Sequence, residues 1–169
     1  NEFPNFLLGK QILSMNVDFK GRLLVTLQYG GFGLKIIRML QDATLDPTFV
    51  GPEFQNEPNP FRITENAVLP LEDGSLLVGG SFRLFKGNTV NGLVRLKEDG
   101  SLDTSFQADL GPKEFVEQLC RTSDDGFLVA LTAAPRLVKL DAHGARVPNF
   151  SPPSELRSVN DLAVDSHGR

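Results

Sequence analysis

The stretch Val94-Arg-Leu-Lys-Glu-Asp-Gly-Ser-Leu-Asp-Thr-Ser-Phe106 decides the fold of this chain, because the sequence repeats its pattern twice more without a gap. The other copies are Ile37-Arg-Met-Leu-Gln-Asp-Ala-Thr-Leu-Asp-Pro-Thr-Phe49 and Val138-Lys-Leu-Asp-Ala-His-Gly-Ala-Arg-Val-Pro-Asn-Phe150. Each copy reads apolar, basic, apolar, then a turn, and each closes on a Phe. An internal repeat of this kind indicates a repeat architecture.

A second repeated element precedes the first in each unit and consists of a turn glycine followed by an aliphatic run. The glycines are Gly21, Gly74 and Gly126. The closing phenylalanines are 57 residues apart (49 to 106) and then 44 (106 to 150), and Phe6 fits the same place in an earlier unit. We therefore expect one domain over residues 1–169, with units at 7–49, 50–106 and 107–150 and a partial unit at 151–169.

The local pattern is typical of β-structure. Asp-Gly between apolar stretches predicts type I′ hairpin turns at Asp73-Gly74, Asp99-Gly100 and Asp125-Gly126. Ala43 takes the glycine place in the first copy, so another or a longer turn is expected there. The apolar runs are short and rich in Leu, Val, Ile and Phe, which favours strands over helices. In the middle unit the pattern predicts four strands, at 67–71, 76–78, 93–96 and 102–106.

Four short antiparallel strands in each unit of about 40 to 50 residues are typical of a β-propeller blade. The predicted fold class is all-β: β-propeller blades of four antiparallel strands, about three and a half of them, forming a partial propeller. A β-helix rung is shorter, and a single β-sandwich would not repeat its turns in this way. We expect each closing Phe to pack between neighbouring blades, and Gly79-Gly80 to mark a close backbone approach.

The strings DGSLLVGGSF (residues 73–82) and NGLVRLKEDGSLDTSF (91–106) resemble the delta-60 repeat, a bacterial β-propeller unit. The middle unit matches that pattern nearly residue for residue, whereas the first lacks the Gly-Gly and the third lacks both Gly-Gly and Leu-Asp. The resemblance implies a propeller found mostly in large secreted or surface-attached bacterial proteins, and it implies no catalytic residue. Kelch, WD40 and Asp-box sialidase blades fit less well because the chain has no Trp, and the NHL type is the nearest rival.

Composition limits the partners and the location. The net charge of −4 argues against a nucleic-acid partner, which requires a basic stripe. No apolar run approaches the roughly 18 residues of a membrane span, so no membrane insertion is expected. The single Cys120 excludes an internal disulfide, and its place in an expected strand predicts a buried structural thiol. From the resemblance we expect a secreted or cell-surface location.

Most residues that could carry chemistry have a structural explanation. His143 and His167 each lie next to a turn glycine with no second His or Cys at ligand spacing, so we expect exposed turn residues, no metal and no cofactor. No Ser-His-Asp or Cys-His set can be assembled, so no catalytic residue is assigned. A carboxylate pair stays open, because the folded distances do not follow from the sequence.

Residues that recur at matching places have structural explanations too. Asp46 and Asp103 recur in the closing element, which predicts Asx-type hydrogen bonds to nearby backbone N–H groups. Arg38, Arg95 and Lys139 recur on a strand between aliphatic residues, which predicts an exposed basic face with packed stems.

The loop between the second and third strands is longest in the middle unit, and repeat proteins often place such insertions on a binding face. Amide and cationic donors stand there beside an aromatic ring, which suits a glycan or a polar peptide; a plain hairpin loop is the simpler alternative. The candidate ligand-binding residues are Phe85, Lys86, Asn88 and Asn91.

The expected function is a non-catalytic β-propeller scaffold for protein or glycan binding or adhesion. The alternative is a propeller enzyme, a lactonase- or glycosidase-like hydrolase with acids lining a central channel. Closed propellers need about four to eight blades. We therefore expect the remaining blades to come from the same larger chain or from a second copy.

Overall fold

The computed structural model describes residues 9–29, 33–54, 67–82, 84–85, 88–159 and 161–165, and these residues form strands and turns without a helix. The strands within these ranges are β1 (Gln11–Val17), β2 (Leu23–Tyr29), β3 (Gly33–Met39), β4 (Glu53–Phe54), β5 (Val68–Pro70), β6 (Leu76–Gly79), β7 (Leu84–Phe85), β8 (Asn88–Thr89), β9 (Leu93–Leu96), β10 (Val116–Arg121), β11 (Phe127–Leu131) and β12 (Leu137–Leu140).

Three antiparallel sheets follow one another along the chain. The first has the order β1-β2-β3-β4, the second β5-β6-β9 and the third β10-β11-β12, while β7 and β8 form a separate hairpin. β1 contacts β5, and β5 contacts β10, so the three sheets meet along their first strands. Sheets that converge on one set of edges are the blades of a propeller. The predicted all-β propeller fold is confirmed, and the number of blades stays a prediction.

Four strands in every blade are not confirmed, because the second and third sheets have three. The expected strand at 102–106 is a single bridge between Leu102 and Leu96, after which the chain turns. The carboxylate of Asp103 accepts the N–H of Ser105 at 3.0 Å, and Phe106 N–H donates to Asp103 O at 3.4 Å. This Asx turn draws the backbone away from the sheet.

The first unit contains the same turn. Asp46 accepts the N–H of Thr48 at 2.9 Å, directly after a bridge between Leu45 and Met39. The predicted Asx-type bonds of Asp46 and Asp103 are therefore confirmed, and they are the physical reason that the outer strand is interrupted.

The hairpin turns at Asp73-Gly74 and Asp99-Gly100 are not of type I′, so this prediction was wrong. Gly74 N–H donates to Leu71 O and Leu71 N–H donates to Ser75 O, and only the glycine of the Asp73-Gly74 pair has a positive φ, of 85°. The turn is therefore a type I turn followed by one left-handed residue, the other common hairpin geometry.

One turn in the first unit and one in the third have the same geometry without glycine at the left-handed place. Ala43, with a φ of 65°, makes the same bond to Leu40 that Gly100 makes to Lys97. The turn at Ala43 is therefore of another type than I′, as expected, but it is not longer and it has the same geometry as the glycine turns. In the third unit Asp125 has a φ of 61°, so the sequence pair Asp125-Gly126 is shifted by one residue relative to the turn.

The core is continuous across the three sheets. Phe49 and Phe106 are both buried in the apolar cluster that contains residues of every sheet, and the Phe106 ring meets Phe127 of the third sheet edge-on, at 6.3 Å between centroids. The prediction that the closing Phe packs between blades is confirmed for Phe49 and Phe106, whereas Phe150 is only partly buried. The close approach at Gly79 is also confirmed, because a Cβ there would lie 2.4 Å from Val116 Cγ1 of the next sheet.

Candidate functional site

Consecutive sheets are joined by one repeated backbone hydrogen bond. The residue after each closing Phe donates its N–H to the turn of the next sheet: Val50 to Asp99 O at 2.9 Å, and Gln107 to His143 O at 3.2 Å. Gly100 is the glycine of the turn that Val50 contacts, and a Cβ added to Gly100 would lie 2.4 Å from Val50 O. Because no side chain fits there, the two backbones lie in direct contact.

The recurring basic residues do not form an exposed face, which corrects the sequence interpretation. Arg38 is 2% exposed, and its Nε donates to Asp46 Oδ2 at 2.8 Å. Arg95 and Lys139 are about one-fifth exposed and pair with Asp73 and Asp124. Each basic residue therefore neutralises a carboxylate on its own blade.

The most buried of these pairs also joins the first two blades. Arg38 Nη1 donates to Glu98 O of the second unit at 2.7 Å, and its guanidinium lies 4.6 Å from the centre of the Phe49 ring. Burial would raise the pKa of Asp46, but hydrogen bonds from the hydroxyl and N–H of Thr48 and from Arg38 outweigh it and hold that pKa at about 2. The Asp46 carboxylate is thus a charged structural group.

Arg22 extends this cluster toward the surface. Its Nε lies 2.7 Å from Asp18 Oδ2 and its Nη1 3.1 Å from Glu98 Oε1, with Asp46 at 3.7 Å. Lys20 also pairs with Glu98. Three carboxylates therefore face the three cations Lys20, Arg22 and Arg38, which leaves the cluster balanced in charge.

A cavity of about 330 Å³ lies in the second blade and contains two of the four candidate binding residues, Asn88 and Asn91. Its other polar lining comes from the interrupted outer strand and includes Asp103, Thr104 and Gln107. None of these three was among the predicted binding residues, although their place in the closing element beside the long loop follows from the repeat alignment.

The other two candidates have different positions. Phe85 is 2% exposed and belongs to the apolar core, so its ring supports the loop from within. Lys86 lies outside the described residues. The role of all four residues in binding stays a prediction.

Cys120 is partly buried, and burial raises the pKa of its thiol, as a structural cysteine requires. His143 is exposed in its turn, and His167 lies outside the described residues. Over the described ranges, no three His, Cys, Asp or Glu side chains are grouped so as to hold a metal ion. The same ranges contain no helix that is long and apolar enough to cross a membrane.

These blades define a β-propeller protein. Residues 71–106 match the family described as a domain of unknown function (DUF5122) with a β-propeller. The matched segment is the middle repeat, and the match confirms its resemblance to the delta-60 type. A search of curated proteins found no significant match.

Two lyase structures share the fold, and a third solved structure is similar to a lesser degree. Virginiamycin B lyase from Staphylococcus aureus is 15% identical with a TM-score of 0.52, covering 80% of this chain and 40% of the lyase. A streptogramin B lyase structure is 15% identical with a TM-score of 0.53, covering 88% and 45%. A protein of unknown function from Bacteroides caccae is 15% identical with a TM-score of 0.46, covering 83% and 45%. The chain thus spans less than half the length of these proteins.

Proposed function

We propose that this chain is a non-catalytic β-propeller scaffold that binds a protein or glycan ligand at the cavity of the second blade. The observation that carries the proposal is the lining of that cavity, where Asn88, Asn91 and Gln107 supply amide groups and Thr104 a hydroxyl beside the apolar Phe106. Ligand sites typically combine an apolar wall with a few polar groups in a space of about 300–1,000 Å³. Secretion or attachment at a bacterial cell surface is part of this proposal, on the delta-60 resemblance.

The charge-balanced cluster favours a scaffold over the hydrolase alternative. A general acid needs a pKa near the working pH, whereas the pKa of Asp46 is held at about 2. The two lyases share the fold alone, at 15% identity, so their activity does not bear on this chain.

Binding is tested by titrating isotopically labelled chain with a panel of oligosaccharides and polar peptides and following backbone amide shifts. We expect saturable shifts at residues 88–91 and 102–108. Asn91→Ala should weaken binding by about tenfold, since a lost hydrogen-bond partner costs about 1 kcal/mol or more. Asn149→Ala, in the exposed turn of the third repeat, is the matched control and should bind normally. Shifts confined to other surfaces would refute the site.

We also propose that a further blade, from the same longer chain or from a second copy, packs on the outer face of the first sheet. On that face β1 carries the apolar residues Met15, opposite Val25, and Val17, opposite Leu23, and Val25 itself is already buried in a small apolar cluster. Met15 is 60% exposed and Val17 65%, and an apolar patch of this kind marks an interaction surface.

Light scattering on the purified chain tests the second-copy form of this proposal. We expect a mass above the 18.5 kDa of one chain, and Val17→Lys should reduce it to that of a monomer. Ser123→Lys, in an exposed turn of the third unit, should leave the assembly unchanged. A rigid monomer of the unaltered chain would exclude a second copy as the source of this blade.

A further inference from the structure

A second cavity, of about 640 Å³, lies in the third blade at the start of β12. One wall is the loop between β11 and β12, at residues 134–136, and the other is the segment 150–157, which begins at the closing Phe. The cavity of the second blade is likewise lined by the loop before β9 and by residues around the closing Phe. The two cavities therefore occupy comparable places in successive blades.

The repeat brings these two walls together in both blades. In the second unit the residue directly before β9 is Gly92, and a Cβ added to it would lie 3.4 Å from Glu114 O and 3.7 Å from Phe115 Cα. Those atoms belong to the segment that follows Phe106. In the third unit the residue directly before β12 is Arg136, and the segment after Phe150 carries Arg157 into the lining of the same cavity.

Arg136 has a backbone conformation that favours glycine. Its φ is 68°, in the left-handed region that disfavours any residue with a Cβ. Gly92, at the same place in the repeat alignment, has a φ of 71°, so the fold accepts a residue without a side chain here. A strained arginine at a place that suits glycine indicates a role for its guanidinium.

The arginines of this cavity lack the carboxylate partners that the others have. Within the described ranges, the arginines that form an ion pair with a carboxylate are Arg22, Arg38, Arg95, Arg121 and Arg146. The two that form none are Arg136 and Arg157, and the guanidinium of Arg136 bonds only to Thr132 O. The lining of the cavity contains both of them and no acidic residue.

Two unpaired arginines in a chain with a net charge of −4 favour an anionic ligand at this place. Arg157 is exposed and Arg136 is partly exposed, so an anion can reach both from solvent. A guanidinium donates charge-assisted hydrogen bonds through a planar fork, and this fork matches the shape of a carboxylate.

The rest of the lining fits a sugar better than an extended peptide. Its apolar part includes Pro135, Phe150, Pro152 and Pro153. Proline has no N–H, so these walls cannot bond to a peptide backbone as a strand does. They offer apolar surface to the C–H face of a sugar ring, and the hydroxyls of Ser151 and Ser154 can bond to sugar hydroxyls.

We propose that the cavity of the third blade binds an acidic glycan, with Arg136 and Arg157 holding the carboxylate of a uronic acid. The prolines and the Phe150 ring pack against the sugar, and the two serines bond to its hydroxyls. This site is separate from the cavity of the second blade, so it goes beyond the proposed function and does not depend on it.

The site is tested by titrating isotopically labelled chain with a tetramer of galacturonic acid and following the backbone amide shifts. We expect saturable shifts among residues 134–136 and 150–157. The methyl ester of the same tetramer should bind at least about tenfold more weakly, because it has lost the charge that the arginines recognise. A sulfated oligosaccharide and a glutamate peptide of matched charge are the other ligands tested.

Two substitutions test the arginines. Arg136→Gly and Arg157→Gln should each weaken binding of the galacturonate tetramer by about tenfold or more. Lys97→Gln removes the same charge at an exposed place in the second unit and should change binding by less than about twofold. Arg136→Gly should be at least as stable in urea as the unaltered chain, because glycine relieves the left-handed backbone.

Equal affinities for the acid and its ester would overturn the site, as would normal binding by Arg136→Gly. Binding of the sulfated oligosaccharide or the glutamate peptide, without binding of the galacturonate, would exclude a carboxylated sugar as the ligand. Shifts confined to residues 88–91 and 102–108 would refute this inference and leave the proposed function standing. Shifts at the third blade alone would do the reverse.

Discussion

The backbone contact between consecutive blades predicts a large cost for one methyl group at Gly100. In Gly100→Ala the new Cβ would lie 2.4 Å from Val50 O, at a φ of 84°. A left-handed Ala costs about 1–2 kcal/mol. Separating the two blades enough to admit the methyl costs about 1–3 kcal/mol, and the hydrogen bond from Val50 N–H contributes about 1 kcal/mol more. We therefore expect the free energy of unfolding to fall by about 3–6 kcal/mol.

Two substitutions at the same kind of turn separate these contributions. In Gly74→Ala the φ is 85°, but the new Cβ would meet the end of the Glu98 side chain, at 3.0 Å, and no backbone atom; Glu98 is partly exposed and can shift within its ion pairs. Its cost should be the left-handed cost alone, about 1–2 kcal/mol. Ala43→Gly removes an existing left-handed Ala and should stabilise by up to about 1 kcal/mol, since part of the gain is offset by the more flexible unfolded chain.

Urea denaturation followed by far-ultraviolet circular dichroism measures all three free energies of unfolding. The reasoning requires Gly100→Ala to be more destabilising than Gly74→Ala by about 2 kcal/mol. Gly144→Ala should behave like Gly100→Ala, because its Cβ would lie 2.6 Å from Gln107 O. Equal losses at Gly74 and Gly100 would refute the account of the blade junction.

Asp46→Ala should cost about 3–5 kcal/mol in urea denaturation because it leaves the buried Arg38 without its carboxylate. Asp103→Ala should cost about 1 kcal/mol or less, because its pair with Arg95 is about one-fifth exposed and its atoms lie 3.7 Å apart. Similar losses would contradict the importance of burial at Asp46. The pKa of Asp46 is lowered from 3.8 to about 2, so its stabilisation is present above about pH 4 and is lost as the pH falls towards 2. The free energy of unfolding should therefore fall less steeply with decreasing pH in Asp46→Asn than in the unaltered chain. Identical pH profiles would count against a role of the Arg38–Asp46 pair in stability. Because burial raises the pKa of Cys120, its thiol should react with a disulfide reagent at least about tenfold more slowly in the native chain than in urea, and equal rates would show an accessible thiolate.

The elements that depend on local pattern were predictable from the sequence. The repeated turn residues indicated where each blade begins and ends. The closing phenylalanines Phe49 and Phe106 were assigned correctly, because a large apolar residue at a fixed place in a repeat has to be buried between units. Asp46 and Asp103 were also predictable, since a short acidic side chain bonds to the backbone within two residues.

The elements that were assigned wrongly depend on competing interactions whose outcome cannot be derived from the sequence. The alternation of apolar and polar residues in Leu102–Phe106 is typical of a strand. The hydrogen bond from Ser105 N–H to the Asp103 carboxylate instead forms an Asx turn, which ends the pairing with the neighbouring strand. An Asp-Gly pair suits both hairpin turn types, so the sequence did not distinguish them. The burial of Arg38 depends on Glu98 of the next blade, a contact 60 residues away in the chain.

The candidate site was predictable only in part. The loop between the second and third strands is longest in the middle unit. This length identified Asn88 and Asn91, which line the cavity. The contribution of Gln107 to the cavity could not be derived, because it depends on the path that the backbone takes after Phe106, where Gln107 and Asp109 bond to the third blade.

The central claim, that consecutive blades are joined by a backbone hydrogen bond from the residue after each closing Phe, is tested most directly by amide hydrogen exchange of the free chain. Val50 is 69% exposed, yet its N–H is bonded to Asp99 O of the next blade at 2.9 Å. Asn149 is exposed in a turn, and its N–H has no backbone partner in the described part of the chain. We predict that the Val50 amide exchanges at least about tenfold more slowly than the Asn149 amide. Equal protection of the two amides would contradict the account.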